Sequence, residues 1–121
     1  MISANGSLVA QAMKAATTLA SQGIGAIVLN NAMPNRPDVK AHAAALAACN
    51  QRLVTVEDHQ AVGGAGSMLV NALVQAGLPI KATVLGVRGE FGQSAYTADE
   101  LYHKHGIGVD GIVAAAKALL S

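Results

Sequence analysis

Short apolar runs alternate along this chain with longer stretches whose apolar residues recur at helical spacing. Leu53, Val54 and Val56, with β-branched Thr55 among them, predict a short buried strand, which the polar side chains of Glu57, Asp58 and His59 then end. Past Gly63, Gly64 and Gly66, from Ser67, the residues Met68, Leu69, Ala72 and Leu73 keep a helical period. This central unit reads as strand, polar tip, glycine-rich turn and helix.

The flanking segments continue the alternation. Residues 1–4 are too short for a full strand, and Asn5-Gly6 signals a turn. From Ser7 onward Leu8, Ala12, Ala15, Ala16 and Leu19 share one helical face, with Gly23 placed to stop the helix. Residues 25–30 (G-A-I-V-L-N) form a continuous apolar run, the pattern of a strand buried on both faces. Pro34 and Pro37 bracket a loop, and residues 38–49 are an alanine-rich helix starting beside a proline. Gly77-Leu78-Pro79 breaks the chain before a strand over 80–87. Thr97 and Glu100 stand in capping-box relation, which marks the start of a short helix over 98–104 that Gly106 ends. A final helix over 110–120 sets Ile112, Val113, Ala116, Leu119 and Leu120 on its inner face. Strands alternating with helices predict a three-layer α/β/α domain, Rossmann-like, with a mostly parallel sheet of about four to five strands.

Composition narrows the class. The chain has 121 residues, one domain's worth, and 52% of them are hydrophobic while only 2% are aromatic. The core must therefore be built from Ala, Val, Leu and Ile. A formal net charge of +1 with no basic run argues against a nucleic-acid or anionic-membrane partner. Cys49 is the single cysteine, so no internal disulfide forms. No apolar run approaches the roughly 20 residues of a spanning helix, and the start lacks the pattern of a signal peptide. The expectation is a soluble cytoplasmic protein.

Candidate chemistry is sparse. A glycine-rich turn at a helix N-terminus is the raw material of an anion site, which makes Gly63, Gly64, Gly66 and Ser67 weak candidates. A dinucleotide fingerprint needs G-x-G-x-x-G, however, and Leu69 stands where the third glycine should be. No lysine follows to make a P-loop. A tight turn and close packing of helix on sheet account for these glycines at least as well. Asp58, His59 and Ser67 name the members of a hydrolase triad, but neighbouring Asp58 and His59 point to opposite sides of an extended chain and no G-x-S-x-G elbow surrounds the serine. His103 and His105 are two apart, not the i, i+4 of paired ligands on one helical face, and read as a solvated helix end. His42, alone on its alanine helix, reads as a surface or capping residue. Arg88 could grip a phosphate or carboxylate with its guanidinium, or simply pair with Glu90.

Four stretches together resemble one family. V-T-V-E-D-H followed closely by G-G-A-G resembles the signature of the C-terminal domain of transketolase, and residues 86–106, G-V-R-G-E-F-G-Q-S-A-Y-T-A-D-E-L-Y-H-K-H-G, resemble its next landmark. The opening A-N-G-S-L-V-A-Q-A-M-K-A-A and the ending I-V-A-A-A-K-A-L-L fit in the same register, so nearly the whole chain is covered. The resemblance implies a sheet ordered 1-3-2-4-5 with an antiparallel first strand. Aligned that way, residues 1–4 are what remains of the central strand, the first strand is truncated or absent, and residues 25–30 have an open edge that invites pairing. Residues 1–121 are then a single domain, excised or completed by a partner.

Transketolases of the pentose phosphate pathway move a two-carbon ketol unit between sugar phosphates, using thiamine diphosphate and Mg2+. The resemblance places that cofactor in two preceding domains, with a Gly-Asp-Gly segment for the metal. No such segment occurs here, and Gly108-Val109-Asp110-Gly111 does not substitute for it. The implied role is a structural and subunit-interaction module of a transferase, without its own cofactor, metal or catalytic residues and inactive in isolation. Glu57, Asp58, His59, Phe91 and Gly92 would serve structure and contact, the partners being the remaining transketolase domains or subunit and further copies in a homo-oligomer. Two other readings stand: the equivalent domain of a 2-oxoacid dehydrogenase β subunit or deoxyxylulose-phosphate synthase, and a free-standing nucleotide- or phosphate-binding domain. The E-D-H tip and the F-G-Q-S turn favour transketolase over its thiamine-dependent relatives.

Overall fold

The computed structural model describes residues 1–121. Four strands, β1 (Ile2–Ala4), β2 (Val28–Asn30), β3 (Arg52–Gln60) and β4 (Lys81–Val87), form one sheet in the order β2-β1-β3-β4, every pairing parallel. Between and after them run α1 (Leu8–Ser21), α2 (Val39–Ala48), α3 (Ala65–Gln75), α4 (Ala98–Lys104) and α5 (Val109–Leu120). Alternation along the strands assigns the helices to two layers. Ile2, Ala4, Val54, Val56 and Leu85 point to the face covered by α1 and α5, where they meet Leu8, Ala12, Ala15, Leu19, Ile112, Ala115 and Leu119. Met1 and Leu53 point the other way and meet Ala45 and Leu46 of α2 and Leu69 and Leu73 of α3. Both layers rest on aliphatic contacts, as the near absence of aromatics requires.

The three-residue β1 is a full member of the sheet, buried along its length and central between β2 and β3. In contrast, the run over 25–30 is a strand only at Val28–Asn30, and it is half-exposed. Burial on both faces was the expectation for it; its place at the sheet edge, with a neighbour on one side only, leaves it open. The polar residues after Val56 do not end β3 either. Val56 pairs with Leu85 and Gln60 with Val87, so three residues of β3, positions 57–59, face only Gly86. A side chain on Gly86 would press within 2.8 Å of the His59 carbonyl oxygen, so the bulge and the glycine belong together.

Helix ends follow their signals closely. Gly23, Gly77 and Gly106 take positive φ just beyond α1, α3 and α4. The Thr97 hydroxyl accepts from the Glu100 amide at 3.2 Å, while the Glu100 carboxylate reaches one residue further back than in a capping box and accepts from the Tyr96 amide. Helix α3 begins at Ala65, two residues before Ser67, and its Met68 faces solvent. On α5, Leu120 is exposed rather than inward-facing, and Ala115 takes the buried position. At the N-terminal rim of the sheet, the Met1 amino group donates to the Arg52 carbonyl oxygen at 2.7 Å, and Arg52 Nε donates to the Leu119 carbonyl oxygen at 2.8 Å.

His42 is not at the surface. It is buried on α2, with Nε2 at 2.9 Å from the Ser3 hydroxyl and Nδ1 at 2.7 Å from the Asp38 carbonyl oxygen. Nδ1–H donates to that carbonyl and Nε2 accepts from Ser3, which fixes the tautomer and satisfies a hydroxyl in the central strand. Replacing His42 by Ala strands the Ser3 hydroxyl, and urea denaturation should register a loss of about 1–3 kcal/mol. His103→Ala, at an exposed position, should stay within about 0.5 kcal/mol of the parent.

Candidate functional site

The loops after β1, β3 and β4 gather at the C-terminal end of the sheet, where open α/β folds bind ligands at the point of strand-order reversal. That point lies between β1 and β3, the two strands from which the chain leaves toward opposite layers. The side chains found there bind one another. Ser7 donates to Asp58 Oδ2 at 2.6 Å, tying the start of α1 to the bulge in β3, and Gln11 donates to Asp99 Oδ1 at 2.8 Å, tying α1 to α4.

The glycine turn carries the most informative geometry. Gly63 has φ +75°, a turn that residues with side chains rarely make, and Gly64 then enters α3 in extended conformation. Glu57, almost completely buried, turns its carboxylate under this turn and accepts from the amides of Ala65 at 2.9 Å and Gly66 at 2.6 Å. A negative carboxylate against the positive end of the helix dipole is electrostatically favourable, and the buried charge has hydrogen-bond donors on both oxygens. The cradle considered at Gly63, Gly64, Gly66 and Ser67 is thus occupied by the chain's own anion. A phosphate would have to displace Glu57 from its two donors.

The glycines follow from this arrangement. A Cβ on Gly64 would overlap the Glu57 carboxylate and the Gln60 carbonyl oxygen, and one on Gly66 would overlap Thr55 Oγ1, itself buried without a hydrogen-bond partner. Close approach of helix to sheet is their function. Ser67 donates its hydroxyl to the Ala61 carbonyl oxygen, so it is a brace for the turn. Asp58, His59 and Ser67 do not converge: Asp58 bonds Ser7, Ser67 bonds backbone, and the exposed ring of His59 comes only within 4.0 Å of Glu57 Oε1.

Arg88 and Glu90 are not paired. Glu90 lies 3.7 Å from Nδ1 of His105, and Arg88 is exposed with no hydrogen bond or ion-pair partner. His105 is not part of a solvated end, since its side chain is only 6% exposed, whereas His103 is exposed and 3.9 Å from Asp110. Phe91 and Gly92 stand in the fully exposed loop 88–97 that joins β4 to α4. No group of three or more His, Cys, Asp or Glu side chains is arranged to hold a metal ion, and no helix is long and apolar enough to cross a membrane. Two residues that organise the molecule, Ser3 and the glutamate as an internal cap, escape the sequence reading. A glutamate at the end of an apolar strand, eight residues before a glycine-flanked helix start, is the signal that would have found the second.

Compared with known proteins, residues 1–112 match the family described as transketolase, C-terminal domain. The chain is 36% identical to a 1-deoxy-D-xylulose-5-phosphate synthase of Thermomicrobium roseum, over 99% of this chain and 19% of that protein. It is 38% identical to a 6-deoxy-6-sulfo-D-fructose transketolase subunit of Clostridium sp., over 95% of this chain and 35% of the subunit. Among solved structures, a split-gene transketolase in an inactive β4 tetramer superposes with a TM-score of 0.87 at 31% identity, covering 98% of this chain and 38% of that one. The chain therefore spans little more than a third of these proteins, and less of some.

Glu57→Ala should cost about 2–4 kcal/mol, because two buried amides lose a charged acceptor, and Gly64→Ala should destabilise as well by driving a methyl into the same carboxylate. Gly92→Ala, with open space around the position, should be close to neutral. Urea denaturation of the three variants checks the order.

Proposed function

The chain belongs to the transketolase C-terminal domain family, within the thiamine-diphosphate-dependent enzymes, and from that premise we propose that it is a structural and subunit-interaction module of a transketolase. Ketol transfer between sugar phosphates is then a property of the whole enzyme, with thiamine diphosphate and Mg2+ held by other domains. The observation that carries this reading is the Glu57 carboxylate on the first amides of α3. A diphosphate is gripped by converging backbone amides at such a turn together with a metal held by carboxylates. Here the amides are taken, and the acidic side chains are bound to Ser7, Gln11 and backbone groups instead of one another. The residues present do not fit the cofactor, so no chemical step is assigned to them.

A partnership with transketolase subunits is supported by the subunit relatives, which match this domain across almost all of its length. A second reading, the corresponding domain of a deoxyxylulose-phosphate synthase, is favoured by the near-complete match to the synthase of Thermomicrobium roseum.

The test is reconstitution. Mixed with the thiamine-binding part of a split transketolase, the chain should restore ketol transfer between sugar phosphates and leave deoxyxylulose-phosphate synthesis at background. The reverse pattern would establish the synthase reading. Supplied alone with thiamine diphosphate and Mg2+, the chain should give no turnover, and calorimetry with ATP or ribose 5-phosphate should show no saturable micromolar binding.

A further inference from the structure

We propose that the C-terminal end of the sheet, through Val62, Arg88, Phe91 and Tyr96, docks against the part of a split transketolase subunit that lies outside the span matched by this chain. The proposal rests on the module reading above and names the surface that the module uses. It starts from where exposure is concentrated. Val62 is 91% exposed, Phe91 95% and Tyr96 100%, whereas no other large hydrophobic residue exceeds 56%. All three sit in the loops after β3 and β4. Elsewhere the chain covers its large apolar side chains at least partly; at this one end it presents them bare, in a protein whose aromatics number only three.

The loops that carry them are fixed in place. The Ala61 amide donates to the Val87 carbonyl oxygen at 2.9 Å, and the Gly89 amide donates to Gln60 Oε1 at 2.9 Å, so the Val62 loop and the start of loop 88–97 lie clipped side by side. Further along, Lys104 donates to the Ser94 carbonyl oxygen and Glu100 accepts from the Tyr96 amide. Backbone groups are held while the aromatic rings between them touch nothing. That is the arrangement of a preorganised contact surface, in which little ordering remains to oppose binding. Its composition, an unpaired arginine beside a phenylalanine and a tyrosine, is that of residues which dominate protein interfaces.

The occupant follows from proportion. In the Clostridium subunit and in the split-gene transketolase structure this domain accounts for 35% and 38% of the chain. Nearly two thirds of each such subunit is other protein that must rest against a domain of this fold. The end of the sheet with bare aromatics on fixed loops is the surface suited to receive it.

The experiment measures binding in trans by sedimentation velocity. The probes are the Clostridium sp. and Actinobacillus succinogenes transketolase subunits, each expressed without the span that this chain matches. The 121-residue chain should bind at least one of them saturably. Phe91→Ser with Tyr96→Ser should weaken binding by about 30-fold or more, and Val62→Ser by about 5-fold or more. Met13→Ser and Val74→Ser, at exposed positions away from this end, should stay within about twofold. All variants should keep the parent's circular dichroism spectrum. If the double variant binds as the parent does, the docking surface is wrong while the module reading stands; if the parent binds neither probe, both fall.

Discussion

One buried carboxylate sets the geometry at the heart of this domain. Glu57 leaves the bulge in β3, passes beneath the glycine turn and accepts from two amides at the start of α3. Its hydrogen bonds satisfy donors that no hydroxyl or carboxylate at the N-cap position supplies, because that position is Gly64. Remove the acid and the helix loses its cap; enlarge the glycine and the acid has no room. Strand end, bulge, turn and helix start are therefore one mutually dependent unit, and the rest of the layer packs onto it through Leu69 and Leu73.

The same economy of polar contacts recurs elsewhere. Ser3 in the central strand is tied to His42 on α2, Ser7 to Asp58, and Gln11 to Asp99 across 88 residues of sequence. An aliphatic core supplies the bulk of the stabilisation but is tolerant of sliding. A few hydrogen-bonded pairs fix how each helix is seated on the sheet. Every polar group that the strand ends could have offered to a ligand is engaged in this task, which is why the acidic residues of the domain bear on architecture.

Much of this was legible in the residues. Helix ends could be placed because Gly23, Gly77 and Gly106 adopt the positive φ that their positions suggested, and because Thr97 marks a start that its hydroxyl actually caps. The order of the strands came from a resemblance spread over the whole chain, which the four observed strands share. What could not be read was depth. Three consecutive polar residues look like the tip of a strand, and only the pairing of Gln60 with Val87 shows that the strand resumes beyond a bulge and that the first of the three points inward. Nor could His42 be placed, since a helix of alanines has no marked apolar face from which to tell inside from outside. The ring of His105 was misjudged for a related reason: its cover comes from Glu90 and the neighbouring loop, distant in sequence and polar in character.

The scarcity of aromatic residues has a consequence for anyone observing this protein in solution. With no tryptophan, emission in the near ultraviolet comes from Tyr96 and Tyr102. The first is fully exposed, and the second packs against the layer formed by α1 and α5. The opposite layer, with α2, α3 and the glutamate beneath them, contains no chromophore at all. Tyrosine fluorescence would follow one half of the molecule and be blind to the other, so that an unfolding step confined to the silent layer would be visible only to amide-based spectroscopy.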